Sequence, residues 1–214
     1  MTHSLSLEAV LMRTLPAVLA LALSCAAADA QVLTTAETLG KGKQAVLFSE
    51  NRVFVDGARL HLIVGQYVRG LTDHFDLYLV GGATRTDDEA GTSVITQFWL
   101  GAGGNWNFGQ WRGFRASLFC VVSAPVTRRD QASDVLANPA LVVSRTVVSN
   151  RLVLYSGLNA LVPIGHRERG WFTPPDTKIN VPAGALIMLG PWGIFGEADI
   201  GHLKAVGVGL TRGF

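Results

Sequence analysis

From Lys43 to the end of the chain, apolar and polar residues alternate with period two in segments of about ten residues, the spacing of half-exposed strands. His74–Gly81 sets Phe75, Leu77 and Leu79 on one face and Asp76 and Tyr78 on the other. Phe114–Val121 opposes Phe114, Ala116, Leu118 and Cys120 to Arg115 and Ser117, and Ile194–Ile200 opposes Ile194, Ala198 and Ile200 to Glu197 and Asp199. Val94–Phe108 sets Phe98, Leu100, Ala102, Trp106 and Phe108 against Gln97, Asn105 and Asn107. Ala140–Val148 opposes Val142, Ser144, Thr146 and Val148 to a face carrying Arg145. The charge-free run Val181–Gly196 is broken by Pro182, Gly184, Gly190, Pro191 and Gly193, which no helix interior accommodates but two strands joined at a turn do.

The pattern predicts ten strands: Lys43–Ser49, Arg59–Gly70, His74–Ala83, Ser93–Phe108, Phe114–Ala124, Pro139–Val148, Arg151–Pro163, Val181–Leu189, Ile194–Ile200 and Lys204–Phe214. Glu50–Ala58 is ambiguous, because Arg52-Val-Phe-Val55 extends a strand or forms its own, so eight or twelve strands stay open. The connections alternate in length. Short ones fall at 71–73, 109–113, 149–150 and 190–193; long, charged ones at 84–92, 125–138 and 165–180. A soluble sandwich has no reason for that alternation. An all-β, antiparallel transmembrane barrel does, with short periplasmic turns and long external loops. Aromatic residues flank the short turns (Tyr67, Phe75, Trp106, Phe108, Trp111, Phe114, Trp192 and Phe195), where an interfacial girdle belongs.

Composition agrees with this picture. The 214 residues are 49% hydrophobic and only 16% charged, below the roughly 25% of soluble domains. A net charge of +2 excludes a nucleic-acid-coating protein and a strongly charged disordered chain. Arg13, the apolar run 14–23 and Ala28-Asp-Ala30 form a secretory leader with a cleavage pattern before Gln31. The expected organisation is a cleaved signal peptide over 1–30, a short N-terminal segment over 31–42 and a barrel over 43–214, placed in the cell outer membrane. Cleavage leaves Cys120 as a lone thiol, expected to be buried, which suits an oxidising compartment.

The chain ends Ala205-Val-Gly-Val-Gly-Leu-Thr-Arg-Gly-Phe214, with Val206, Val208 and Leu210 alternating back from the terminal aromatic. This resembles the C-terminal β-signal of Gram-negative outer-membrane barrel proteins, which implies the barrel-assembly machinery as a partner; Arg212 departs from the usual apolar residue. Glu37-Thr-Leu-Gly-Lys-Gly-Lys43 with Tyr67-Val-Arg-Gly-Leu-Thr-Asp-His-Phe-Asp-Leu-Tyr78 is similar to the opening of transporter-like barrels associated with phenol-degradation pathways. That resemblance implies location and architecture rather than a substrate.

With the apolar faces against lipid, the lumen is expected to hold His61, Arg69, Asp76, Arg115, Arg145, Glu197 and Asp199, with Gln97, Asn105, Asn107 and Asn159. Cations and carboxylates in a narrow barrel should pair, as an ion-pair plug or as a charged conduit that sets selectivity. The expected function is a narrow, porin-like pore or transporter-like protein for a small solute, with a plugged structural or adhesive barrel as the alternative. Catalysis is not expected: His166, Asp176, Asp87, Asp88 and His202 belong to loops or strand ends and form no catalytic motif. His61, His74, His166 and His202 lack metal-ligand spacing, and no helix follows Gly101, Gly103 and Gly104 to make a phosphate loop, so no metal or cofactor is expected. Trp171-Phe-Thr-Pro-Pro175 reads as a stiff apolar loop tip that docks a surface or folds over the barrel mouth.

Overall fold

The computed structural model describes residues 35–55, 58–88, 93–126, 135–149, 151–164 and 177–214. The leader over 1–30, with His166, Asp176 and the Trp171-Phe172 tip, lies outside the described residues. Ten strands run in chain order: β1 Gln44–Val55, β2 Ala58–Gly70, β3 Phe75–Asp88, β4 Ser93–Trp111, β5 Phe114–Pro125, β6 Val135–Val148, β7 Leu152–Ile164, β8 Lys178–Leu189, β9 Trp192–Gly201 and β10 Lys204–Gly213. Each pairs antiparallel with its neighbour, and β1 pairs with β10 from Ala45↔Gly213 to Phe54↔Lys204, closing the barrel. Reciprocal backbone bonds finish this seam: Gln44 N–H to the Phe214 carbonyl at 3.0 Å and Phe214 N–H to the Gln44 carbonyl at 2.9 Å. Closure leaves no edge strand, the condition for backbone to cross a bilayer.

The ambiguous stretch after Ser49 continues β1. Ser49, Asn51 and Val53 stay buried while Phe48, Glu50, Arg52 and Phe54 face out, so one alternation runs unbroken to Phe54. Several strands also reach further than their apolar pattern. β3 takes in Thr84–Asp88, β6 begins at Val135 and β8 begins at Lys178, all read from sequence as loop. The added ends of β3 and β8 are mostly polar, whereas β6 opens on the apolar Val135-Leu-Ala137 ahead of Asn138-Pro139; pairing with the neighbouring strands continues through all three. β6–β7 pairing skips Asn138 and Pro139, and β7–β8 pairing skips Gly157 and Leu158 opposite Pro182, because proline has no N–H to give the ladder.

The belt faces outward. Leu77, Leu79, Phe98, Leu100, Leu118, Val208 and Leu210 are all exposed, with Leu100 reaching 61%. The inward positions carry the buried asparagines, serines and carboxylates. A surface with a continuous apolar belt outside and polar groups mixed with apolar ones inside is not that of a soluble barrel, and it fits lipid outside. Cys120 is on this outer face and exposed, correcting the expectation of a buried thiol; it alternates with Phe119 and Val121, which point inward.

Candidate functional site

The candidate site is the lumen and its short-turn mouth. Across the middle, Val64, Val68, Tyr78, Val80, Phe119, Val121, Val142 and Tyr155 form a buried cluster, with Tyr78 set edge-on to Phe119 at 5.3 Å between ring centres. Polar side chains share the same inward face: Asn51, Gln66, Asn105, Ser117, Asn138, Ser144, Asn159, Asn180, Glu197 and Asp199 are all buried.

Four predicted lumen residues lie on this face. Asp76 is 1% exposed, Glu197 4% and Asp199 0%, and Arg115 alternates with buried Ser117. Gln97, Asn105, Asn107 and Asn159 join them. Three predicted residues do not. His61 and Arg69 alternate with Leu62, Val64, Gln66 and Val68, which point inward, so both sit on the outside of β2. Arg145 is exposed, and its guanidinium lies 5.0 Å from the centre of the outward Phe114 ring. The physical reason is shared. Arg69 and Arg145 are near the short-turn ends of their strands, where a long cationic side chain reaches the interfacial water, and His61 occupies the equivalent level at the opposite end. Arg212 over Trp192 and Arg112 over Trp111 repeat the arrangement, so the aromatic girdle carries its own cations.

The expected pairing of Arg115 and Arg145 with Glu197 or Asp199 is replaced by a different arrangement. Arg115 meets Glu37 at 3.8 Å, and Glu37 comes from the segment ahead of β1. Residues 35–43 enter the short-turn mouth and are held there by β2 to β6 and the turn between β2 and β3. The Leu39 N–H donates to both Asp76 oxygens at 3.0 and 3.2 Å. Asn107 donates to the Ala36 carbonyl at 2.7 Å, and the Thr146 hydroxyl donates to Glu37 at 2.6 Å. The Thr38 hydroxyl donates to the Asp73 carbonyl at 2.7 Å, the Lys41 N–H to the Asp73 carboxylate at 3.1 Å, and Gly42 N–H to the Gly70 carbonyl at 2.8 Å. Ala36 is fully buried in the lumenal cluster, and Leu39 packs against it. Two left-handed residues, Gly40 at φ 89° and Gly42 at φ 81°, turn the chain from the lumen into β1. Gly70 is needed opposite them, because a Cβ there would collide with the Gly40 carbonyl.

Under this segment remains a cavity of about 100 Å³ lined by Glu37, Leu39, Asp76, Tyr78, Tyr155 and Phe195, among others. That is room for several ordered waters.

Sequence reasoning missed Glu37, Leu39, Asp73, Thr146, Asn51 and Lys178. Lys178 reads as loop but pairs with Leu161, two positions before buried Asn180, and so falls on the inward face. The one available signal for the mouth segment was Gly40-Lys-Gly42, a turn placed just before the first strand. Among the described residues no group of three His, Cys, Asp or Glu is arranged to hold a metal ion.

No family model matches the chain, and no curated protein does. Solved structures do match. An outer-membrane channel from Pseudomonas putida F1 aligns over 86% of this chain and 100% of its own, with 11% identity and a TM-score of 0.53. The translocator domain of the autotransporter NalP from Neisseria meningitidis aligns over 97% of each chain, with 13% identity and a TM-score of 0.46. The fold is that of the Gram-negative outer-membrane β-barrels.

Proposed function

We propose that this protein is a narrow outer-membrane pore for small solutes, closed at its periplasmic mouth by its own residues 35–43. The observation that carries the reading is the way the mouth is closed. The closing segment is no strand of the barrel: residues 35–41 are fastened by side chains of the wall, Asp76, Asn107, Arg115 and Thr146, and backbone pairing to β2 begins only at Gly42, so the part that fills the mouth can leave without breaking the ladder. Behind it the wall mixes the apolar cluster with buried amides, hydroxyls and carboxylates. Such groups are costly in a sealed barrel and useful in one that admits water and solute. Ten strands sit just above the size that side chains fill, so the open conduit is narrow.

The other proposed properties fit this location. The leader directs export, and Val206, Val208, Leu210 and Phe214, at the strand that closes the barrel, serve the assembly machinery. A channel of like fold is known in Pseudomonas putida F1, and the likeness to phenol-pathway transporters belongs to the same reading. Swelling of proteoliposomes in a size series of uncharged solutes tests it. Entry of the smallest solutes, with a steep cut-off in size, is expected. Exclusion of every solute by both the wild type and Glu197→Gln would leave a plugged structural barrel.

A further inference from the structure

Strands β4 to β7, with the short turns between β4 and β5 and between β6 and β7, contain no Asp or Glu and four arginines, Arg112, Arg115, Arg145 and Arg151. Arg115 points into the mouth and meets Glu37. The other three are exposed at the short-turn rim, and these strands hold no carboxylate to balance them. Register brings two of them together. Trp111 pairs with Phe114 and Phe114 with Arg145, so the three side chains form one row on the outer face. The Arg145 guanidinium lies 5.0 Å from the centre of the Phe114 ring, and that of Arg112 lies 4.8 Å from the centre of the Trp111 ring. A guanidinium held over a ring keeps its in-plane N–H donors free for a phosphate.

Deeper along the same strands the outer wall is recessed. Gly104, Cys120 and Pro139 pair in one row of small side chains, bordered toward the rim by the larger row Trp106, Leu118, Leu141 and Leu158. The β6–β7 ladder is interrupted at Asn138 and Pro139. The result is a groove of about 580 Å³ lined by Leu118, Cys120, Pro139, Leu141, Leu158 and Ile179, among others. Leu141 lies four residues from Arg145, about 13 Å along the strand, within the length of an acyl chain that hangs from a headgroup at the rim. An apolar groove below two uncompensated guanidiniums matches a lipid that carries net negative charge at its phosphate. We infer that the outer face of β4 to β7 is a binding site for an anionic phospholipid of the periplasmic leaflet, with the phosphate on Arg112 and Arg145 and one acyl chain in the groove.

The site lies outside the wall and is independent of conduction, so it stands or falls apart from the pore. The test refolds the full chain into vesicles of equal parts phosphatidylglycerol and phosphatidylcholine, extracts it in mild detergent and reads bound lipid by native mass spectrometry. The wild type is expected to retain one phosphatidylglycerol, favoured over phosphatidylcholine on the order of tenfold. Arg112→Gln with Arg145→Gln should abolish that preference. Cys120→Trp, which fills the groove and keeps both arginines, should lower retention of the lipid. Arg212→Gln, over Trp192 elsewhere in the girdle, should leave the preference unchanged. Each variant is read on its folded, heat-modifiable band, and if the double variant gives none, Cys120→Trp decides. No preference in the wild type, a preference that survives the double variant, undiminished retention in Cys120→Trp, or an equal loss in Arg212→Gln would overturn the assignment.

Discussion

Asp76→Ala is the sharpest perturbation of the closed mouth. Asp76 is 1% exposed, and its two oxygens share one donor, the Leu39 N–H, at 3.0 and 3.2 Å. That counts as one hydrogen bond to a charged acceptor, worth about 1.5–3 kcal/mol. Since about 1.4 kcal/mol is a tenfold change in an equilibrium, the detached population should rise roughly 10- to 150-fold. Neighbouring contacts are weaker. The Arg115–Glu37 pair is 3.8 Å long and partly exposed, and contributes about 0–1 kcal/mol. Amide hydrogen exchange read by mass spectrometry, with the barrel in nanodiscs, measures local opening directly. Peptides covering 35–43 should lose protection by that factor in Asp76→Ala, while β1 and β3 peptides keep theirs. Unchanged protection over 35–43 would refute the reasoning. So would faster exchange throughout the barrel, since Asp76 would then support the wall rather than the segment.

Other substitutions separate the faces. Leu100→Arg, on the outer face of β4, should cost on the order of 2–4 kcal/mol near the membrane midplane, read from denaturant unfolding in lipid vesicles. Arg145→Ala should leave solute flux unchanged because Arg145 lies outside over Phe114, whereas Arg115→Ala, which removes the ion pair to Glu37 and leaves it held by Thr146 alone, should raise flux slightly; flux in proteoliposomes checks both. Gly184→Ala should displace Tyr155 and destabilise the barrel by about 1–3 kcal/mol, measured as a lower unfolding midpoint.

The fold was largely legible in the sequence, and the lumen only in part. Strand alternation is strong where one face is wholly apolar, as in Phe75-Asp-Leu-Tyr-Leu79 and Ile194–Ile200, and there the facing residues were read correctly. β2 defeats the rule because both faces carry apolar residues: Leu62, Val64 and Val68 fill the lumen while Ile63 and Tyr67 meet the outside. Reading every mid-strand charge as lumenal then put His61 and Arg69 on the wrong face. Arg145 failed differently. Its neighbours Leu141 and Val143 point out and Val142 and Ser144 point in, and the ring of Phe114 at the interface gives the cation a favourable place outside the lumen. The mouth segment left almost no trace. Thr35–Lys43 has no periodicity, and its position depends on Asp73, Asp76, Asn107 and Thr146, which are remote in sequence and converge only when the barrel closes.

Single-channel recording in planar bilayers, comparing the full barrel with a variant lacking residues 31–42, tests the central claim most directly. The closed mouth predicts rare or small openings for the full chain and sustained, larger conductance steps once the segment that carries Ala36, Glu37 and Leu39 is gone. A correctly folded deletion variant that stays as silent as the full chain would contradict a conduit behind the segment. A full chain that conducts as freely as the deletion variant would contradict the segment as its closure.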